Sequence, residues 1–343
     1  MIVVLHGAKV NAGDFLIRDR GLAIIGRLRP AQELVLHPRW EPVPTELFDR
    51  ADALVLCGGP GLAPRFYPRV FPLVDDLASH PTPVLPLALG WGGTGSGRPD
   101  RFFSRRSVEA LRAIHSRIGW SGVRDDLSLE LLRSAKVGQV RRTGCVAWYD
   151  LQSLGSPFSP PAEVHRLAFT PPAKRRQGGL RETIAVMRHL RARYRGAERY
   201  CVFHRGMRAE FATEVPTAER RATAIVARLL GFKVIDASRD VSALELYRDC
   251  DLHVGYRVHA HLCTLSYRRP SLLVIEDGRG EGQAVTFGDP HRLHAGSAGL
   301  VEFLASALAA EEAGGFNSSE RAVAEIERTW PVMRETVEQL PER

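Results

Sequence analysis

The sequence lacks long apolar runs. No stretch approaches the roughly 20 consecutive apolar residues that cross a bilayer, so the chain is predicted to have no membrane span. Residues 1–7 carry no basic segment and too few apolar residues for a signal peptide. We therefore interpret them as a first buried strand and expect a cytoplasmic protein.

Cysteine is scarce and shows no pairing pattern. The chain has five cysteines, an odd number, and none belongs to a C-x-x-C pair. Disulfide frameworks and structural zinc sites are built from paired cysteines. The sequence therefore predicts reduced, mostly buried thiols.

Lysine is scarce as well, although the net charge is +8. Only four of the 47 basic residues are lysines, and the arginines are spread along the whole chain. The short basic groups are not interleaved with aromatic residues as in nucleic-acid-binding motifs. The composition therefore predicts no nucleic-acid partner, and it suits an anionic small molecule or an acidic polymer.

Short apolar segments alternate with amphipathic ones, a pattern typical of a parallel α/β fold. The length of 343 residues fits two domains. A segment rich in Gly, Ser and Pro at residues 155–161 reads as a linker. The predicted domains are therefore residues 1–155 and 162–315, followed by a terminal helix in 316–343 that packs back on the first domain.

Three glycine-rich turns follow predicted strands of the first half. In the turn at residues 7–14, Asn11 and Asp14 can cap a helix, or the exposed amides there can receive an anion. Gly59, in the turn at 57–62, permits close approach of a ligand or a sharp bend. Gly92 belongs to the loop at 90–97, whose formal G-x-G-x-x-G does not lead into a helix. A dinucleotide site is therefore not predicted, and we interpret this loop as a mobile cover over a cleft.

A fourth turn, at residues 255–261, concentrates ionisable side chains after the predicted strand 252–254. Arg257 offers a planar fork suited to carboxylate or phosphate, and His259 can donate or accept a proton near neutral pH. Gly255 starts the turn. His261 is a second candidate, but it is also interpreted as a helix cap or a core histidine. No acidic residue lies among these side chains, so no metal site is predicted.

Arg124 and Asp125 stand at the start of a further predicted helix. Two interpretations are open: the residues form a structural ion pair, or Arg124 faces the cleft.

The ordered set of these turns resembles the polysaccharide pyruvyl transferase family. Asn11-Ala12-Gly13-Asp14 is similar to the family's N-x-G-D turn, and Arg124-Asp125 and Ser128 to its R-[DE]-x-x-S motif. The strongest piece, at residues 250–260, is close to C-D-x-x-x-G-x-R-x-H-A. The sequence departs from the family at Cys145, where T-G-x-P is common and Val146 replaces the proline.

The resemblance implies a GT-B-like fold with two Rossmann-like domains facing a cleft, the first on the acceptor side and the second on the donor side. It also implies transfer of the pyruvyl group of phosphoenolpyruvate to a sugar of a polysaccharide or glycan precursor, which forms a ketal. No cofactor is expected, because phosphoenolpyruvate is the donor substrate. Arg257 would hold the donor anion, His259 would be the general acid, and Arg279 would replace a lysine common in the family.

Two alternatives stay open at this point. A GT-B glycosyltransferase or sugar epimerase would use a nucleotide sugar, with Glu276 on the ribose and Arg257 on the diphosphate. A non-catalytic relative would bind a sugar or an anion without turnover. The sequence leaves the acceptor undefined and allows a homo-oligomer.

Overall fold

The computed structural model describes residues 1–93, 101–174, 179–207 and 215–342. The chain divides into two compact units. The first comprises residues 1–8, 17–151 and 326–343, and the second comprises residues 9–16 and 152–325.

The first unit contains a parallel sheet in the strand order β2-β1-β3-β4. The side chains of β1 and β3 are buried along their whole length, as expected for a parallel sheet that is covered on both faces. A parallel pair, β5 and β6, continues this sheet through backbone bonds between Leu89 and the β5 segment. The strands are β1 (Ile2–His6), β2 (Leu34–Pro38), β3 (Ala53–Cys57), β4 (Val84–Leu87), β5 (Ser121–Val123) and β6 (Val140–Arg142).

Four helices accompany these strands: α1 (Ala12–Leu28), α2 (Thr45–Arg50), α3 (Arg105–His115) and α4 (Asp126–Ala135). The first residues of α1 group with the second unit. The carboxylate of Asp125 caps α4 by accepting a hydrogen bond from the Ser128 backbone N–H at 2.8 Å.

The second unit contains a six-stranded parallel sheet in the order β12-β11-β10-β7-β8-β9. Its strands are β7 (Arg166–Thr170), β8 (Glu198–Phe203), β9 (Phe232–Asp236), β10 (Leu252–Gly255), β11 (Ser271–Ile275) and β12 (Leu293–His294). The chain builds one half of the sheet from β7 to β9 and then returns to place β10 beside β7. This is the strand order of a Rossmann fold, and the order reverses between β7 and β10.

The helices of the second unit are α5 (Gly179–Arg193), α6 (Thr217–Leu229), α7 (Leu246–Asp249), α8 (Val258–Ser266), α9 (Gly278–Phe287) and α10 (Leu300–Ala313). Helix α5 packs against both α6 and α10. The apolar core of this unit lies between such helices and the sheet, and includes Phe169, Met187 and Leu304.

The last helix, α11 (Asn317–Val337), contains the boundary between the units at residues 325 and 326. Its second half packs on the first unit. The ring of Trp330 lies 5.1 Å from that of Tyr149, and Thr336 Oγ1 accepts a hydrogen bond from Trp120 Nε1 at 2.8 Å.

The predicted alternation of strands and helices is confirmed, but several boundaries differ. The unit boundaries also differ from the predicted ranges, because residues 9–16 group with the second unit. Ala12 N donates to the carbonyl of His204 at 2.9 Å, and Arg239 N donates to that of Val10 at 2.9 Å. Strands β2, β5, β6 and β12 and helices α2 and α9 were not predicted.

The largest local correction concerns the turn predicted at residues 255–261, because helix α8 begins at Val258 in the structure. Arg257 occupies its N-cap position without a capping side-chain bond, so the usual sequence signal for a helix start is missing. Ser319 lies inside α11, where its hydroxyl accepts a hydrogen bond from Ser271 N at 3.0 Å.

The five cysteines are all buried free thiols, as predicted. Within the described ranges, no helix is long and apolar enough to cross a membrane.

Candidate active site

The carboxyl ends of β7 and β10 meet where the strand order of the second unit reverses, and such points hold the ligands of open α/β sheets. Gly255 ends β10 opposite Thr170. A Cβ atom on Gly255 would lie 2.2 Å from Thr170 Oγ1 and 2.6 Å from the Thr170 backbone. Gly255, predicted to bind substrate, is therefore required for the close approach of two strands that places the next residues, Tyr256 and Arg257.

Arg257 is the buried cation of this site, with 6% of its surface exposed. Its Nη2 donates to Asn11 Oδ1 at 3.1 Å, and its Nη1 lies 3.9 Å from Glu276 Oε2. Burial lowers the pKa of Arg257 to about 10, against the opposing effect of Glu276. The guanidinium therefore stays charged at neutral pH. In the part of the chain that the structure describes, no hydrogen bond is made by Arg257 Nε or Nη1.

The turn at residues 11–14 packs directly on His259. A Cβ atom on Gly13 would lie 2.3 Å from His259 Nδ1 and 2.7 Å from His259 Cβ, so only glycine permits this contact. His259 is 3% exposed and lies in the first turn of α8. The turn thus holds Arg257 through the Asn11 side chain and contacts His259 through its own backbone.

His204 belongs to the same cluster, although the sequence analysis did not select it. It follows β8, its carbonyl accepts from Ala12 N, and its Nε2 lies 2.7 Å from the hydroxyl of Tyr247. Among the described residues, the buried Nδ1 of His204 has no hydrogen-bond partner. Burial, Arg257 and His259 hold the pKa of His204 well below its usual range, so the ring is neutral. An ionisable residue at the end of the strand predicted at 200–204 was the available signal.

Glu276, Asp277 and Arg279 follow β11 on the other side of β10. Glu276 Oε1 accepts from the backbone N–H groups of Ala173 and Lys174 at 2.9 and 2.8 Å. Burial raises the pKa of Glu276, although Arg257 opposes this shift. Arg279 donates to both carboxylate oxygens of Asp277. Its Nη2 and Nε lie 2.7 and 3.0 Å from Oδ2, and its Nε lies 3.1 Å from Oδ1. Burial alone would raise the pKa of Asp277, but the bonds from Arg279 keep it lowered.

Electrostatics extend this cluster to Asp14. The Asp14 carboxylate partly opposes the effect of burial, which lowers the pKa of Arg257, and it adds to the effect of Asp277, which raises the pKa of Arg279. Of the predicted site residues, the structure therefore brings together Asn11, Asp14, Arg257, His259 and Arg279.

His261 lies elsewhere in the second unit. Its Nδ1 is 2.8 Å from Ser271 Oγ, at the amino end of β11, and burial lowers the pKa of its imidazole to about 3. The same hydroxyl lies 2.8 Å from Nδ1 of His253, whose Nε2 is 2.9 Å from Thr170 Oγ1. Thr170 Oγ1 also accepts a hydrogen bond from Arg257 N at 3.3 Å. His261 is thus a buried core histidine at one end of a polar chain that supports the backbone of Arg257.

The remaining predicted residues, Gly59, Gly92 and Arg124, belong to the first unit. Arg124 Nε donates to Asp125 Oδ2 at 2.7 Å, and its Nη2 donates to the carbonyl of Trp91. The arginine is 2% exposed, so the ion-pair interpretation describes it. The carbonyl of Gly59 accepts a hydrogen bond from Gly90 N at 2.9 Å, and this bond links two of the glycine turns. Residues 94–97 of the predicted cover loop lie outside the described residues.

Within the described ranges, no group of three His, Cys, Asp or Glu side chains is arranged to hold a metal ion.

The parallel sheets of the two units define a GT-B-like α/β protein with two Rossmann-like domains, as predicted. Two solved structures are similar over nearly the whole chain. One is the UDP complex of MnaA from S. aureus, with a TM-score of 0.53, 12% identity, and coverage of 93% of this chain and 90% of that one. The other is UDP-GlcNAc 2-epimerase from Neisseria meningitidis bound to UDP-GlcNAc, with a TM-score of 0.53, 12% identity, and coverage of 98% and 99%.

A search of curated protein sequences finds no match. The family model of polysaccharide pyruvyl transferase, in contrast, matches residues 11–278. The chain belongs to this family of transferases, as the sequence motifs predicted.

Proposed function

We propose that the protein transfers the pyruvyl group of phosphoenolpyruvate to two hydroxyls of a sugar in a polysaccharide or glycan precursor, forming a ketal. The observation that carries the proposal is the buried cluster of Arg257, Asn11 and His259 at the carboxyl end of β10. Family membership supports the same conclusion.

Arg257 is the proposed ligand of the donor's carboxylate or phosphate. A buried guanidinium is costly unless anions surround it, and its Nε and Nη1 make no hydrogen bond in the described part of the chain. The carboxylate of Glu276 partly neutralises the charge of Arg257, but its Oε2 lies 3.9 Å from Arg257 Nη1, which is too far for a hydrogen bond. A planar anion that accepts from two of these N–H groups would complete the pairing.

His259 is the proposed general acid. Its proton would go to the methylene carbon of phosphoenolpyruvate and leave a cationic carbon that bears the phosphate and the carboxylate. One sugar hydroxyl then bonds to this carbon and loses its proton, which restores His259. The second hydroxyl bonds to the same carbon, the carbon–oxygen bond to phosphate breaks, and the second proton leaves with inorganic phosphate. Preorganised charges such as Arg257 would stabilise the developing charges.

A nucleotide sugar is the rival donor. In that alternative Glu276 binds the ribose, but its Oε1 already accepts two backbone hydrogen bonds and its Oε2 faces Arg257. This carboxylate therefore has little capacity left for a ribose hydroxyl. Because the contacts of Glu276 are already made within the protein, we favour phosphoenolpyruvate over the nucleotide sugar as the donor.

The test is product formation from phosphoenolpyruvate labelled with carbon-13 at the carbon that becomes the ketal, incubated with glycan fractions. A ketal signal and one phosphate released per ketal are expected. His259→Ala should fold normally and lose nearly all transfer, whereas His165→Ala is the matched control at an exposed histidine of the second unit. Near-wild-type turnover by His259→Ala removes that residue from the catalytic role, and transfer from a nucleotide sugar alone rejects the proposed donor.

A further inference from the structure

A surface of the second unit, away from the cluster around Arg257, combines arginines with exposed apolar side chains. Arg188, Arg191, Arg195 and Arg199 line a groove with Leu230, between α5 and the end of α6. Beside it on α6, Leu229 is 77% exposed and Ile225 is 56% exposed. These two residues are four positions apart, so they share one face of the helix.

The charge of this surface is strongly one-sided. Helix α5 carries four arginines and one glutamate, and that glutamate, Glu182, accepts hydrogen bonds from Tyr256 and from Gly296 N. Arg193 of this helix pairs with Glu312, whereas Arg188 and Arg191 form no ion pair within the described residues. Exposed cations that form no ion pair attract an anionic surface over about a Debye length, roughly 8–10 Å at physiological salt.

The exposed apolar side chains of this surface indicate which kind of polyanion it binds. A highly hydrated acidic polymer would gain nothing from Leu229 and Ile225, whereas the headgroup region of a bilayer accepts such side chains while arginines bind the lipid phosphates. Phe303, which is 61% exposed on α10, lies on a helix that also packs against α5. The combination of arginines with exposed leucine, isoleucine and phenylalanine matches an interfacial membrane contact.

We infer that this surface, formed by Arg188, Arg191, Arg195, Ile225 and Leu229, docks the protein on an anionic lipid bilayer. The inference does not depend on the proposed pyruvyl transfer, because no residue of the cluster around Arg257 takes part. Docking would hold the enzyme at a membrane face, where lipid-attached glycan precursors are accessible.

The experiment is co-sedimentation of the full chain with vesicles of phosphatidylcholine alone or with added phosphatidylserine. Binding to the anionic vesicles that weakens with salt is expected. Arg188→Gln with Arg191→Gln should weaken binding by about 25-fold, since each arginine near an anionic bilayer contributes about fivefold. Leu229→Ser should weaken it several-fold at both low and high salt, because its contribution is apolar.

Arg50→Gln with Arg112→Gln is the matched control, since it removes the same charge from exposed positions of the first unit. Unchanged binding by this control, together with weaker binding by the surface variants, supports the inference. Equal affinity for both kinds of vesicle overturns it, as does an equal loss in the control. A dimer in solution that Leu229→Ser dissociates, with no vesicle binding, assigns the surface to a second copy and also overturns it.

Discussion

The guanidinium of Arg257 donates from Nη2 to the side-chain oxygen of Asn11 at 3.1 Å, across 246 positions of the chain. Both residues are buried, with 6% and 2% of their surfaces exposed. The contact connects two motifs that the sequence presents as separate turns. Asn11 therefore positions the proposed donor ligand.

Asn11→Ala should weaken donor binding because it leaves the guanidinium without its only described hydrogen bond. A hydrogen bond to a charged group contributes about 1.5–3 kcal/mol, which corresponds to roughly 10- to 100-fold in affinity. The expected result is a higher KM for phosphoenolpyruvate with a smaller change in kcat. Asn317→Ala, at the start of α11, is the control, and an unchanged KM in Asn11→Ala contradicts the positioning role.

Gly13→Ala should displace His259, because the added Cβ would lie 2.3 Å from its Nδ1. Displacing a catalytic group by about 1 Å can lower the rate by about 100-fold. We therefore expect kcat of Gly13→Ala to fall by about that factor. Gly196→Ala is the matched control, since nothing lies within 4 Å of its Cβ position. Steady-state kinetics of both variants provide the check, and normal kcat in Gly13→Ala would place the reacting atoms away from His259.

Thr170→Val should destabilise the second unit. The hydroxyl accepts from Arg257 N and bonds to His253 Nε2, so its loss leaves buried polar groups unpaired at about 1–3 kcal/mol each. The hydroxyl of Thr264 donates only to the carbonyl of Ala260 in its own helix, so Thr264→Val is the control with the smaller cost. Urea unfolding of both variants measures the difference in unfolding free energy. An equal loss in the two variants would show that the polar chain does not stabilise the second unit.

Stability should fall in acid because of three buried histidines. Burial holds the pKa values of His204 and His253 well below 6.5 and lowers that of His261 to about 3. These rings stay neutral in the folded protein, whereas the unfolded chain takes up protons below about pH 6.5. The free energy of unfolding therefore decreases as the pH falls below about 6.5.

Each such histidine contributes a slope of up to about 1.4 kcal/mol per pH unit below its unfolded pKa. His261→Gln should flatten the dependence of unfolding free energy on pH by roughly that amount. Urea titrations between about pH 7.5 and pH 5 measure the slope. A slope identical to that of the wild type would mean that His261 is protonated in the folded protein.

The sequence predicted the core strands and the turn of Arg257 and His259 because continuous apolar runs end there in charged side chains. His204 also stands where an apolar run ends, so the same reasoning would have selected it. Its hydrogen-bond partner Tyr247 lies in helix α7, and no sequence pattern predicts that the two residues meet. His261 was placed in a turn because α8 begins at an arginine N-cap without a side-chain bond. The grouping of residues 9–16 with the second unit depends on long-range bonds such as that from Ala12 to His204, which leave no local sequence signal.

The most direct test of the proposed donor is calorimetric titration of the protein with phosphoenolpyruvate and, separately, with UDP-GlcNAc. We expect phosphoenolpyruvate to bind and its affinity to fall by at least tenfold in Arg257→Gln, while Arg181→Gln, at an exposed position of α5, binds like the wild type. Binding of UDP-GlcNAc with no heat from phosphoenolpyruvate would contradict pyruvyl transfer as the function of this protein.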